Sequence, residues 1–338
     1  MPELVRLVLL FSLWTLLGHA NGECNGVVFE NIGCVEQTCG CLVNYIDAPL
    51  SGCVKPKEVK TEFKFYRKAN KNDPVIVNYR FENISQVPFD NQNPTVIIVH
   101  GLNQDTNPPN NMYQAAKDLY LEEDKNDVNV ILVDWSDGAK AEISLPVLPI
   151  FDYLYYAQAV ANIPVVSKQS AFLVKNLHEQ KGLDVGNVRL IGHSLGSHVV
   201  ANINRFLLQY LREYIDELFG ITAKVGHSDF YVNDGTTQPN CPLLPPSSII
   251  CNHQRSVWLT DVDFSNYGSC QPVAYECESY SDFLEGLCAD CDNAKCQLLG
   301  YDVQVYNRTT ISRSPPEAIR HNLRIKTTGE TPFCSNDR

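Results

Sequence analysis

The stretch that decides the fold is Gly192-His193-Ser194-Leu195-Gly196, a G-x-S-x-G sequence. The apolar run Val188 to Ile191 precedes it and predicts a buried strand, and a helical pattern follows it. A serine between two glycines in this strand-turn-helix context is typical of a nucleophile elbow, in which a strained turn lifts the hydroxyl above the sheet edge. The glycines permit the strand and the helix to approach closely. We therefore predict that Ser194 is a nucleophile.

Two further apolar runs lie upstream of the elbow, Thr95 to Val99 and Val128 to Val133. Because these runs lack alternation with polar residues, each predicts a strand that is buried on both faces. Helical patterns separate them around 112–122 and 155–180. Such alternation predicts the α/β class, with a mostly parallel sheet covered by helices on both faces. Ligands bind beyond the carboxyl ends of these strands, so the site is expected where the strand-ending turns converge.

A serine needs a base within hydrogen-bond reach before it can act as a nucleophile. In the α/β-hydrolase arrangement this base is a histidine on a late loop, and His227 and His253 are both late enough. His227 precedes a predicted strand, where a structural role is favoured, so we prefer His253. Two backbone N–H groups must also hold the oxyanion. We assign them to Leu195, directly after the serine, and to Leu102, in the turn after the first strand.

Composition restricts the partners and the compartment. The formal net charge of -12 argues against nucleic acid, since phosphate binding requires clustered Lys and Arg. Residues 1–22 combine Arg6, a short apolar run and small residues, which is typical of a secretory signal peptide. We therefore expect a secreted, extracellular protein. The sequons at Asn83 and Asn307 fit the same export route as sites for glycosylation.

All thirteen cysteines follow residue 22, and in an exported chain this number indicates disulfides rather than metal or redox chemistry. Because the number is odd, at least one thiol is free or is paired with another molecule. The chain divides into residues 1–22 as signal peptide, 23–60 as a cysteine-rich N-terminal segment and 61–338 as the α/β-hydrolase domain.

Seven segments together resemble the pancreatic lipase family, particularly its invertebrate lipases and A1-type phospholipases. They cover most of the mature chain in the family's order: Val99 to Gly101, Val133 to Ser136, Ala159 to Asn162, Gly192 to His198, Gly226 to Tyr231, Cys251 to Ser256 and Lys326 to Phe333. The resemblance implies the α/β-hydrolase fold, with Ser194 as nucleophile, His253 as base, and Leu102 and Leu195 as oxyanion donors. It implies no metal or other cofactor.

The resemblance also implies features outside the site. It pairs Cys241 with Cys251, Cys277 with Cys288 and Cys291 with Cys296; Cys24, Cys34, Cys39, Cys41, Cys53, Cys270 and Cys334 stay unassigned. The chain ends where the family's catalytic domain ends, so we expect neither the C-terminal β-sandwich domain nor a colipase-type partner. Only nine residues separate the two cysteines that bound the family's lid, as in the phospholipase-like members.

The triad acid departs from the family's pattern, because the Gly-Leu-Asp-Pro-like turn that carries it is missing. Between Gly196 and Gly226 the chain is short, and its helical spacing suggests one long helix over 199–219 and a sheet lacking one or two strands. Asp216 is the preferred acid to orient His253. A solvated helix-surface role for Asp216 is an open alternative, and Asp229 and Asp234 are outside candidates: three acids, none in the expected turn.

Two functions follow from these residues. The first is hydrolysis of carboxylic esters of lipids, as a triglyceride lipase or phospholipase A1, at a membrane or droplet surface. The second is a catalytically impaired or inactive relative that binds or stores lipid. The presence or absence of a triad acid distinguishes the enzyme from the lipid-binding relative. The sequence leaves the oligomeric state open.

Overall fold

A computed structural model describes residues 24–36, 38–39, 53–109, 111–123, 127–140, 149–211, 217–219, 228–235, 237–244, 247, 251–255, 273–288, 291, 296–298 and 321–328. The strands within these ranges are β1 Gly26–Phe29, β2 Gly33–Glu36, β3 Thr38–Cys39, β4 Cys53–Val54, β5 Glu62–Tyr66, β6 Val75–Asn78, β7 Thr95–Val99, β8 Asn129–Asp134, β9 Val188–Gly192, β10 Glu217–Phe219, β11 Ser228–Val232, β12 Val273–Glu276, β13 Cys296–Leu298 and β14 His321–Ile325. The helices are α1 Met112–Glu123, α2 Ser136–Ala139, α3 Pro149–Lys181, α4 Leu195–Leu211 and α5 Tyr280–Leu284.

The main sheet has six strands in the described part of the chain, in the order β10-β9-β7-β8-β5-β6. The four strands from β10 to β8 run parallel, while β5 is antiparallel to both β8 and β6. The three strands predicted from apolar runs are therefore confirmed as β7, β8 and β9. Their carboxyl ends lie at one edge of the sheet, which places the turns after Val99, Asp134 and Gly192 beside one another.

Helices cover both faces of this sheet, as predicted. Alternate residues of β7 enter two separate clusters: Val96 and Ile98 pack with side chains of α1, whereas Ile97 and Val99 pack with side chains of α3 and α4. Successive side chains of a strand point to opposite faces, so this division requires a helical layer on each side. Burial on both faces explains why the strand sequence lacks polar alternation.

The expectation of a single helix over 199–219 is wrong for its last three residues, whereas α4 covers it as far as Leu211. Residues Glu217–Phe219 instead form β10, which pairs in parallel with β9 at the edge of the main sheet. A three-residue strand after an amphipathic helix has too few positions to break the helical pattern, so periodicity alone misassigns it. The proposed loss of one or two strands relative to the family stays a prediction.

Outside the main sheet, the chain forms a β1–β2 hairpin, a β3–β4 pair and a four-stranded sheet ordered β11-β14-β12-β13. Ile32 and Val35 of the hairpin are buried in the same core as α3 and α4. The three disulfides implied by the resemblance are confirmed, and Cys24 pairs with Cys34 across the hairpin. Within the described ranges, no helix has the length and apolarity to span a bilayer.

Candidate active site

The turn between β9 and α4 holds Ser194 in a left-handed conformation, with φ of 55°. Non-glycine residues adopt this region at a cost, and strain of this kind is the mark of a nucleophile elbow. A Cβ on Gly192 would lie 2.4 Å from the carbonyl oxygen of Gly196, and a Cβ on Gly196 would lie 2.3 Å from the carbonyl oxygen of Val99. Both positions therefore require glycine, which accounts for the spacing of the motif.

The turn after β7 contacts the elbow directly. A Cβ on Gly101 would lie 2.7 Å from the Cβ of Ser194, and the His193 N–H donates to the Val99 carbonyl at 3.1 Å. At the far end of the turn, the Asn103 N–H donates to Ala139 at 2.9 Å. The backbone of this turn is thus held against Ser194 on one side and against α2 on the other.

His253 lies beside Ser194, with 3.0 Å between the His253 Nε2 and the Ser194 Oγ. This distance is within the range that lets a base take a proton from a hydroxyl. Fifty-nine residues separate the two in sequence, so the contact depends on how the chain segment 251–255 is held.

Three contacts hold the segment that carries the imidazole. The Cys241–Cys251 disulfide closes the preceding loop. The Asn252 Oδ1 accepts from the Gln238 N–H at 2.7 Å, and the buried Arg255 donates to the carbonyl of residue 239 at 2.8 Å. Each contact flanks His253 without using its ring, so the exposed imidazole is left to face Ser194.

Leu195 and Leu102 occupy positions suited to the oxyanion donors assigned from sequence. Leu195 is the first residue of α4, and the first N–H groups of a helix have no partner within the helix. Leu102 is partly buried against the main core in the turn that contacts Ser194. Within the described residues, neither N–H donates to a protein acceptor. Among the described residues, both N–H groups are therefore available to bind an oxygen.

A buried carboxylate, which the sequence analysis did not single out, supports this turn from below. Asp134 ends β8 and accepts from the Thr106 N–H at 3.1 Å, the Thr106 hydroxyl at 2.8 Å and the Lys64 Nζ at 2.9 Å. Burial by itself raises the pKa of Asp134, but its contacts with His100, Lys64, Thr106 and Ser136 lower it well below the ordinary value. In the sequence, Asp134 ends an apolar run and lies in the Val133 to Ser136 segment of the resemblance, but neither feature assigned it a role.

We expect Lys64→Met to lower the free energy of unfolding by about 3 to 5 kcal/mol, because it leaves the Asp134 carboxylate buried without its cation. Both side chains of the pair are 6% exposed, so solvent screens the loss poorly. Urea unfolding at neutral pH measures the effect. Lys175→Met, which removes an exposed pair with Glu179, is the matched control and should change stability by less than about 0.5 kcal/mol.

The Asp134 carboxylate also makes the free energy of unfolding depend on pH in the acidic range. Because the folded-state pKa of Asp134 is depressed, its contribution is complete above the unfolded pKa of about 3.9 and declines as the pH falls below that value. The acid dependence should therefore be shallower in Lys64→Met than in the wild type. An unfolding free energy of Lys64→Met equal to that of the wild type at neutral pH would contradict this account.

The proposed triad acid, Asp216, lies outside the described residues. Its chain neighbour Glu217 begins β10 opposite Arg189, at the end of the parallel strands away from the elbow. Of the outside candidates, the carboxylate of Asp234 pairs with Arg324 at 2.9 Å, and the side chain of Asp229 is not among those described. The assignment of the acid therefore stays a prediction. In the part of the chain that is described, no group of His, Cys, Asp or Glu side chains is arranged to hold a metal ion.

A strained serine elbow on a mostly parallel sheet, with a histidine from a late loop at hydrogen-bond distance, is the arrangement typical of serine hydrolases with the α/β-hydrolase fold. A family model described as "Lipase" matches residues 26–215 and 210–316. The chain therefore belongs to the lipase family that includes the pancreatic lipases.

Individual relatives are similar over most of this chain. Lipase member H of Danio rerio is 28% identical over 315 residues, covering 82% of this chain and 64% of the relative. Human hepatic triacylglycerol lipase is 27% identical over 328 residues, covering 82% and 61%. Pancreatic triacylglycerol lipase of Mus musculus is 26% identical over 362 residues, covering 88% and 71%. The chain thus spans less than two thirds of the length of the first two.

Proposed function

We propose that this protein is a secreted serine esterase that hydrolyses carboxylic esters of lipids, with Ser194 as nucleophile and His253 as general base. The observation that carries the proposal is the 3.0 Å contact between the His253 Nε2 and the Ser194 Oγ across a strained elbow. A left-handed serine is costly to keep, and pairing it with an imidazole is the arrangement that nucleophilic catalysis requires. The triacylglycerol lipases among the relatives support lipid esters as the substrate class.

The proposed reaction has two halves. As the Ser194 oxygen attacks the acyl carbonyl, His253 takes the hydroxyl proton, and the Leu102 and Leu195 N–H groups hold the oxyanion. His253 then gives the proton to the departing alcohol as the ester bond breaks. A water molecule, deprotonated by the same imidazole, releases the fatty acid and restores the serine. No step of this sequence calls for a metal.

Lipid as the partner is supported by two exposed leucines in the loop that leads to His253. Leu243 and Leu244 are 85% and 77% exposed, and the Cys241–Cys251 disulfide closes their loop. Apolar side chains held in water by a short closed loop are favourable points of contact with a lipid surface. We place the lipid-facing side of the molecule at this loop.

The double variant Leu243→Ser and Leu244→Ser should bind lipid vesicles more weakly by about 10- to 100-fold. Complete burial of each leucine contributes about 1.5 to 3 kcal/mol, and contact with a lipid surface buries about half of each side chain or less. Co-sedimentation with phosphatidylcholine vesicles measures the affinity. Val28→Ser is the matched control, since Val28 is 70% exposed but lies on the β1–β2 hairpin. Unchanged vesicle binding by the leucine variant, or an equal loss in the control, would exclude this loop as the lipid contact.

Secretion is supported by the four disulfides of the described residues and by the geometry of one sequon. Asn83 has an exposed side chain in a left-handed turn, with Ile84 buried behind it. A glycan at Asn83 would therefore point into solvent.

The experiment that tests the function compares the purified wild type with Ser194→Ala on triolein emulsions and on phosphatidylcholine vesicles. Fatty acid release by the wild type alone supports the proposal. Release from triolein indicates a triglyceride lipase, whereas release of the sn-1 chain from phosphatidylcholine indicates a phospholipase A1. In parallel, a fluorophosphonate probe should label Ser194. Vesicle binding without hydrolysis or labelling would favour the lipid-binding alternative. Asp216→Asn tests the acid, since an unchanged kcat would remove Asp216 from the triad.

A further inference from the structure

Gln104, in the turn after β7, gathers three donors on one oxygen. Its Oε1 accepts from the Gly101 N–H at 2.9 Å, from the Tyr113 hydroxyl at 2.5 Å and from the His193 Nδ1 at 3.0 Å. A backbone N–H can only donate, so the amide of Gln104 must present its oxygen here. These donors come from the turn itself, from α1 and from the elbow, so a single side chain joins three elements.

The contact also fixes the state of His193. Because an amide oxygen only accepts, the Gln104 contact favours a proton on the His193 Nδ1, which the Tyr113 hydroxyl oxygen at 3.2 Å can accept as well, and this tautomer leaves a lone pair on Nε2. That Nε2 is buried, and within the described residues it has no hydrogen-bond partner. Burial, together with His253 and His100, lowers the pKa of His193 to about 4, so the ring is neutral at physiological pH. It lies against His253 with 5.6 Å between ring centroids.

We propose that Gln104 is a positioning residue of the esterase, holding the Gly101–Leu102 turn to His193 so that the Leu102 N–H stays aimed at the oxyanion formed on Ser194. The inference rests on the proposed function. Gly101 directly precedes Leu102, and His193 directly precedes Ser194, so the Gln104 oxygen bridges the chain neighbours of the donor and of the nucleophile. Within the described residues, no hydrogen bond joins Gln104 to Ser194 or to His253.

The mechanism requires such a bridge because oxyanion stabilisation depends on donors that are in place before the reaction begins. Removing one oxyanion donor lowers kcat by about 10²- to 10³-fold in serine hydrolases. A donor that is misaligned rather than removed should lower kcat by less than this. We therefore expect a fall in kcat of about 10- to 100-fold for Gln104→Met. Methionine has a similar length but offers no strong acceptor. The KM should change by less than about 3-fold, because the oxyanion exists only in the transition state.

The experiment measures kcat and KM of Gln104→Met on a soluble chromogenic ester, together with the affinity for an alkylboronic acid that forms a tetrahedral adduct on a nucleophilic serine. Gln180→Met is the matched control, because Gln180 lies exposed near the end of α3 and bonds only its helix neighbour Asn176 among the described residues. Gln104→Glu, which keeps an acceptor oxygen for all three donors, should retain the thermal midpoint of the wild type.

The expected result is a parallel fall in kcat and in boronic acid affinity for Gln104→Met, with KM and the Gln180→Met control near the wild type. Wild-type values of both kcat and boronic acid affinity in Gln104→Met overturn the inference, as does a loss confined to KM. A merely structural role would lower the thermal midpoint without the parallel loss.

The His193 tautomer, read from imidazole ¹⁵N shifts, separates this inference from the proposed function. If the wild type shows no Ser194-dependent hydrolysis, the function fails, yet a Nδ1–H tautomer that changes in Gln104→Met still supports the bridge. A His193 tautomer that is the same in Gln104→Met as in the wild type overturns the inference about Gln104.

Discussion

His253→Ala should lower kcat on a soluble ester by about 10⁴- to 10⁶-fold, because a serine without its base is a weak nucleophile and the members of a triad act as a unit. The 3.0 Å contact between the His253 Nε2 and the Ser194 Oγ is the structural reason for this size of effect. The residual rate should come from the oxyanion donors and substrate binding alone.

Because the triad members act together, the effects of their substitutions on kcat should not be additive. The double variant His253→Ala with Ser194→Ala should be no slower than either single variant, since each change already removes the proton-transfer pair. His227→Ala is the matched control, as it removes the second histidine considered for this role, and its kcat should stay within about 3-fold of the wild type. A large loss in His227→Ala with none in His253→Ala would reverse the assignment of the base.

Gly196→Ala should lower the free energy of unfolding by about 3 kcal/mol or more and remove hydrolysis, because the new Cβ has no space. It would lie 2.3 Å from the Val99 carbonyl oxygen and 2.6 Å from that of His100, so α4 would have to move away from β7. Helix propensity acts in the opposite direction and favours alanine over glycine by about 1 kcal/mol. The sign of the measured change therefore decides whether close packing or propensity dominates.

Chemical denaturation of Gly196→Ala and of a control, Gly186→Ala, measures this balance. A Cβ on Gly186 would meet only the Asp184 Oδ1, at 3.4 Å, so the control should lie within about 1 kcal/mol of the wild type. A Gly196→Ala variant as stable as the wild type would show that the helix can retreat from the strand at little cost.

The sequence predicted the centre of the fold best where both faces of an element are buried. The apolar runs that became β7, β8 and β9 have no other stable placement than between two helical layers. The strand β10 was missed because three residues after an amphipathic helix carry no periodicity of their own. Whether such a short segment forms a strand depends on its pairing with β9, and local sequence does not encode that pairing.

The candidate site likewise contains residues that the sequence predicted and one that it did not. Ser194, His253, Leu102 and Leu195 follow from the elbow motif and the resemblance, because motifs record groups that act on substrate. Gln104 had no such signal: a single glutamine in a loop becomes significant only when Gly101, Tyr113 and His193 converge on it in space.

The close packing around the elbow also bears on how this chain could change over evolutionary time. At Gly192 and Gly196 any other amino acid would collide with backbone, so natural selection for folding alone would retain both glycines in a lineage that had abandoned catalysis. The hydroxyl of Ser194 is under no such constraint, since no carbonyl or helix depends on it for space. In descendants of this protein, persistence of the glycines would report only an intact scaffold, whereas persistence of the serine would report continued chemistry.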